Sequence, residues 1–153
     1  MVTNVKYTHT NLIARDWNRL ADFYACVFGC TLVPPERDLS GRWLDDATGV
    51  SHAHIRGAHL RLPGYGDAGP TLEISQYDSE LGKPSTAVNR PGFGHIAFAV
   101  EDVDAARDVV IAAGGRAVGK IVSVEIAGAG ALRFVYVTDP EGNIIELQRW
   151  QNK

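Results

Sequence analysis

Large apolar residues recur at every second position along "TLEISQY" (residues 71–77) and "HIAFAV" (95–100). A period of two marks strands with one packed and one open face. Two other stretches are amphipathic over about 12 residues, the length of three helical turns: "DWNRLADFYACVFG" from Asp16 and "DVDAARDVVIAAGG" from Asp102. Each opens on an aspartate that can accept the free N–H groups of a first turn, and each closes on glycine, which tolerates the left-handed conformation of many helix ends.

The chain repeats itself. "HTNLIARDWNRLADFYACVFGC" from His9 and "HIAFAVEDVDAARDVVIAAGGR" from His95 keep one offset of 86, which carries His9 to His95, Asp16 to Asp102, Asp22 to Asp108 and Gly29 to Gly115. After each helix come strand candidates bounded by proline and glycine: "CTLVPP", "AHLRLPG" and "TLEISQY", then "GRAVGKIVSVEI", "ALRFVYVTD" and "NIIELQRW". "DPEGN" supplies the tight turn before the last strand. The expected fold is α+β, two tandem βαβββ modules at residues 5–78 and 92–150 within one domain of residues 1–153. Residues 36–57 read as an insertion in the first module, a mobile flap or a short helix over a cavity.

With 153 residues, 45% of them hydrophobic, the chain suits one compact domain. A formal charge of −3 with no basic cluster argues against nucleic acid and acidic membrane as partners. No 18-residue apolar run and no signal-peptide pattern is present, which gives a cytoplasmic expectation. Cys26 and Cys30 are four apart, neither a redox pair nor a disulfide framework, and Cys26 is expected to pack as a small hydrophobe.

Four residues then stand out. His9 and His95 open the first strand of each module, and Glu73 and Glu146 lie on the last. Alternation puts His95 on a face with Ala97 and Ala99, Glu73 with Thr71 and Ser75, and His9 with Tyr7 and Asn11, opposite the apolar positions. A strand histidine alone is more often a hydrogen-bonded core residue than a ligand, but four such residues at repeated places form a set. Buried carboxylates that face one cavity repel unless a cation offsets them. Two imidazoles and two carboxylates suit one divalent metal ion, Zn, Ni, Co, Mn or Fe(II), with room for water. No thiolate takes part, against a closed structural zinc site. His52, His54 and His59 suggest a second site only weakly, having no matching acid in their stretch. His59 and Arg61 share a strand face and are candidates, with Asn11 and Trp43, for contacts to the substrate. Tyr65 and Trp150 either wall a pocket or simply pack.

"HTNLIARDWNRLADFYACVFG", "TLEISQY", "GFGHIAFAVEDVDAARDVVIAAGG" and "VTDPEGNIIEL" resemble the vicinal oxygen chelate superfamily, which includes glyoxalase I, methylmalonyl-CoA epimerase, extradiol dioxygenases and fosfomycin resistance proteins. The resemblance covers nearly all of the chain outside residues 36–57. It implies a cupped mixed sheet around a metal held by His9, Glu73, His95 and Glu146, and a homodimer. It also implies a lyase or isomerase that moves a proton next to a metal-bound carbonyl of a small molecule, with Glu146 as base and Glu73 as second carboxylate. The first alternative is a ring-cleaving dioxygenase using Fe(II) or Mn(II) on His9, His95 and Glu146, and the second is an antibiotic-binding protein without catalysis. Glyoxalase I carries arginine in a "HTMLRVxD" stretch where Ile13 stands here, so a glutathione adduct is not the expected substrate. Methylmalonyl-CoA epimerases usually have glutamine in place of Glu73.

Overall fold

The computed structural model describes residues 1–151. The fold is α+β. In chain order the described elements are β1 (His9–Ile13), α1 (Trp17–Phe28), β2 (Thr31–Ser40), α2 (Arg42–Thr48), β3 (His54–Arg61), β4 (Thr71–Tyr77), β5 (Ile96–Ala99), α3 (Val103–Ala112), β6 (Arg116–Ala117), β7 (Val122–Ile126), β8 (Gly130–Thr138) and β9 (Ile144–Gln151). They fall into two compact units, Met1–Gly82 and the chain from Lys83 onward. Among the described residues no helix is long and apolar enough to cross a membrane.

In the first unit the strand order is β1-β4-β3-β2, with β1 parallel to β4 and the other pairs antiparallel. Helix α1 packs against β3 and β4. Its Leu20, Ala21 and Tyr24 are buried, as are Ala58 and Leu60 of β3 and Leu72 and Ile74 of β4. Removing a leucine or isoleucine side chain from water contributes about 1.5–3 kcal/mol. Because strand side chains alternate, this burial on one face obliges Glu73, which lies between Leu72 and Ile74, to face the other way.

The second unit repeats the scheme as β5-β9-β8-β6, with β7 also on β8 and β5 parallel to β9. Val103 and Val110 of α3, Val135 and Val137 of β8, and Ile145 and Leu147 of β9 are buried, and α3 packs on β8 and β9. Glu146, between Ile145 and Leu147, is again turned to the opposite face. The expected single strand "GRAVGKIVSVEI" is divided into β6 and β7, both paired with β8. His95 directly precedes β5 instead of lying inside it.

The insertion is mostly regular structure. Residues 36–40 finish β2, α2 follows, and β3 begins at His54, so the middle of the segment is a short helix. Cys26 is exposed, and it is Cys30 that packs as a small hydrophobe; burial raises the Cys30 thiol pKa to about 11.

Both helix starts follow the sequence reading: Asp16 accepts from the N–H of Arg19, and Asp102 from those of Asp104 and Ala105. The stops differ. Gly29 is left-handed at φ 69°, with open space where a Cβ would be. Gly115 is not: α3 ends two residues earlier than the repeat predicts, Gly114 takes the positive φ of 98°, and Gly115 is needed for space. A Cβ on Gly115 would lie 2.3 Å from the Thr138 carbonyl oxygen and 2.6 Å from Val110 Cγ1.

His54 ties three segments together. Its Nδ1 is 2.6 Å from Asp78 and its Nε2 2.7 Å from Asp38, while Arg56 Nη2 donates to Asp78 at 2.7 Å. Carboxylates only accept, so both ring nitrogens donate and the imidazole is charged. The Asp38 hydrogen bond, then that of Asp78, raises the His54 pKa; the His54 bond, then that of Arg56, lowers the Asp78 pKa. The sequence reading found no acid for this histidine because Asp38 comes from β2 and Asp78 from the bend after β4.

Gly29→Asn should therefore cost under about 0.5 kcal/mol in urea unfolding, since asparagine accepts the left-handed region. Gly115→Ala should cost about 1–3 kcal/mol by overpacking, and Gly115→Asn at least as much. Equal losses at the two positions would contradict the distinction. For His54, a raised pKa stabilises fully below the unfolded value of 6.5 and is lost as pH rises through the folded value. The lowered pKa of Asp78 stabilises fully above 3.8 and is lost as pH falls through its folded value. In thermal melts, His54→Gln should lower the midpoint most between those two pH values and progressively less in alkali; a pH-independent loss would count against a charged His54.

Candidate active site

In the first unit the sheet register gathers the candidates. The parallel pairing of β1 with β4 sets Asn11 opposite Glu73, so His9, two residues earlier, points to the same face. The antiparallel pairing of β3 with β4 sets His59 directly opposite Glu73. His9 Nε2 is 3.4 Å from Glu73 Oε2, and His59 Nε2 is 3.4 Å from Glu73 Oε1. The two imidazoles meet edge to face with centroids 5.3 Å apart. Each has its Nδ1 beside a threonine hydroxyl, Thr8 at 3.3 Å for His9 and Thr71 at 2.9 Å for His59. Burial holds the His59 pKa below 6.5, with Glu73 acting in the opposite direction, so His59 is neutral at pH 7. A neutral ring serves both neighbours in one tautomer, with the proton on Nε2 facing Glu73 and Nδ1 accepting from Thr71.

The second unit has the same relations. β5 pairs in parallel with β9 so that Ala97 lies opposite Glu146, and His95, again two residues earlier, brings its Nε2 to 2.9 Å from Glu146 Oε2. The residue opposite Glu146 on β8 is Tyr136, whose ring centroid lies 5.1 Å from that of His95. Burial, then the Glu146 charge and a hydrogen bond with Glu146, raises the Tyr136 pKa above 10. Tyr136 therefore stays protonated and donates to the carboxylate. Ala97 and Ala99 leave the β5 side of this face without bulk.

Metal–ligand bonds of about 2.0–2.2 Å place adjacent donors about 2.8–3.6 Å apart, from octahedral to tetrahedral geometry. The separations of 2.9 Å in the His95–Glu146 pair and 3.4 Å in the His9–Glu73 pair fall at that spacing, and the nitrogen and oxygen donors suit a borderline divalent ion. Among the described residues no three His, Cys, Asp or Glu side chains are grouped to hold a metal ion. What each unit offers is a pair.

The remaining candidates divide. Asn11 shares the Glu73 face and donates to Ser75 Oγ at 3.0 Å. Arg61 follows His59 on its face and donates to the Gly69 carbonyl at 2.6 Å. Trp43 sits apart on α2, exposed, with its indole over Gly41. Beside α2 lies an open depression of about 730 Å³ lined by residues that include Arg42, Asp45, His52 and His54, and by none of His9, His59 or Glu73. The sequence reading missed Tyr136. Alternation in "ALRFVYVTD" puts it with Phe134 on one face, but only the register with β9 shows that Glu146 is its neighbour.

Residues 6–147 match the family model of the Glyoxalase/Bleomycin resistance protein/Dioxygenase superfamily. The chain is 28% identical over 148 residues to a probable lactoylglutathione lyase of Vibrio parahaemolyticus, spanning 95% of this chain and 91% of that protein. A probable lactoylglutathione lyase of Vibrio cholerae is 27% identical over 152 residues with the same coverage. Among solved structures, a glyoxalase family protein from Bacillus cereus superposes with a TM-score of 0.82 at 22% identity, covering 99% of this chain and 100% of the other. A glyoxalase I variant from Zea mays gives 0.64 at 23% identity, over 95% of this chain and 45% of that one. At such identities the structural likeness shows the fold.

In imidazole NMR titrations of protein stripped of metal with a chelator, the His59 midpoint should fall below 6.5 and the His54 midpoint above it. The reverse order would overturn the account of both environments.

Proposed function

Because the chain belongs to the Glyoxalase/Bleomycin resistance protein/Dioxygenase superfamily, we propose that it is a divalent-metal-dependent lyase or isomerase that moves a proton next to the carbonyl of a small oxygenated molecule. The observation that carries this reading is the repeated histidine–glutamate pair, built twice by the same register at donor spacing. The proposed ligands are His9 and Glu73 of the first unit and His95 and Glu146 of the second. The metal is Zn, Ni, Co, Mn or Fe(II), and the proposed assembly is a cytoplasmic homodimer. Such an ion, when bound, supplies Lewis-acid polarisation of substrate oxygens.

The chain's own groups do the rest. Glu146 is the proposed base: its carboxylate takes the proton from the carbon beside the carbonyl and returns it to the neighbouring carbon, leaving the enzyme unchanged after the cycle. Tyr136, protonated and hydrogen-bonded to Glu146, holds that carboxylate in one orientation between turnovers. Glu73 is the proposed second carboxylate. Asn11, Arg61 and His59 lie on the Glu73 face and are the proposed polar lining for the substrate, while Trp43 on α2 is a proposed contact from further off.

The relatives named as lactoylglutathione lyases support a lyase. Ile13 points away from glutathione itself, because it lies on the face of His9 and Asn11, opposite Ser75, and is half exposed. It offers an apolar surface where glyoxalase I has an arginine. A small substrate with an apolar group at this end suits it better than a charged peptide.

Dialysed protein should retain stoichiometric divalent metal, and His95→Ala should lose it. Glu146→Gln should keep the metal and slow uptake of solvent deuterium into a carbonyl substrate by about 10²–10⁴-fold, the usual contribution of a general base. Oxygen consumption with catechols under Fe(II), abolished by Glu146→Ala, would replace this reading with a ring-cleaving dioxygenase. Metal-free protein with unchanged His95→Ala would remove the metal site.

A further inference from the structure

We propose that His59 is the positioning residue of Glu73: it braces one carboxylate oxygen and leaves the other toward His9. The inference rests on the proposed function for its consequence, but its geometry is independent of it. His59 and Glu73 are a directly opposed cross-strand pair on one face, so their side chains are held together by the sheet ladder itself. The ring cannot turn freely, because Nδ1 is held by the Thr71 hydroxyl at 2.9 Å. That anchor aims Nε2 at Glu73 Oε1, 3.4 Å away, while Oε2 of the same carboxylate meets His9 at 3.4 Å. Glu73 is thus bracketed, one imidazole to each oxygen.

His59 faces Oε1 while His9 faces Oε2, so His59 is placed to hold the carboxylate and not to share an ion with His9. Both ring nitrogens already face partners, so within the proposed substrate lining His59 is a ring held in place and not a free side chain. The second unit shows the same design with different chemistry: Tyr136 lies opposite Glu146 and hydrogen-bonds to it. The position opposite the glutamate is therefore filled twice by a ring that brings a polar atom to the carboxylate. Groups that orient a ligating side chain in this way typically change metal affinity about 10–100-fold when removed.

The test uses the amide mimics of each ring nitrogen, with Co²⁺ as probe. His59→Gln places a donor near the Nε2 position, His59→Asn places one near Nδ1, and His59→Ala removes both. In metal-free crystal structures, the Glu73 carboxylate should keep its place in His59→Gln and leave it in His59→Ala. In chelator competition, Co²⁺ affinity should fall about 10–100-fold in His59→Ala and His59→Asn and return to within about threefold of the parent in His59→Gln. The visible ligand-field bands should be alike in all four proteins. An unmoved Glu73 with unchanged affinity in His59→Ala overturns the proposal. So do altered bands in His59→Gln, which would make His59 a direct ligand. If the parent protein binds no Co²⁺, the proposed function fails, while the place of Glu73 in the metal-free variants still decides the role of His59.

Discussion

One constraint organises the molecule: a strand buried on one face must present every second residue to the other. In β4 and β9 the most deeply buried apolar residues are Leu72 and Ile74, and Ile145 and Leu147, on strands packed by helices α1 and α3. Each pair encloses a glutamate. A one-residue slip would drive Glu73 or Glu146 into the helix interface and expose two large apolar side chains, at a cost of several kcal/mol. Apolar packing against the helices, which involves none of the candidate active residues, is what holds both carboxylates in place.

Strand pairing adds what alternation cannot. Parallel pairing on one side of the glutamate brings a histidine two residues out of register, and antiparallel pairing on the other side brings a ring directly opposite. The duplicated scheme thus makes the same three-residue arrangement in each unit. The chemistry is not duplicated. Glu73 lies between two imidazoles at 3.4 Å, whereas Glu146 meets one imidazole at 2.9 Å and a phenol. Two carboxylates that are equivalent by topology are therefore unequal in the groups that hold them.

The region around α2 shows a different use of charge. Asp45 accepts from the backbone N–H groups of His52 and Ala53, each at 2.8 Å, and so ties the turn after α2 back to the helix. Next to it His54 joins Asp38 and Asp78. These contacts bind an irregular segment to the sheet with hydrogen bonds where little apolar surface is available. That accounts for histidines that, in sequence, resembled a possible second metal site.

By itself, the sequence determined the α+β class, the two helices with their aspartate caps, the strands carrying His9, Glu73 and Glu146, and the faces to which His9, Glu73 and His95 turn. These features are local: they follow from periodicity, capping and glycine placement within a few residues, and the offset of 86 made them visible twice. The family resemblance was legible for the same reason. Only the tertiary structure decided who stands opposite whom. Tyr136 became the neighbour of Glu146, His59 the brace of Glu73, and Asp38 and Asp78 the partners of His54. It also showed that Gly115, unlike Gly29, is required for space and not for a left-handed backbone. Each of these depends on register between segments far apart in the chain, and a period of two is the same for every register that differs by two.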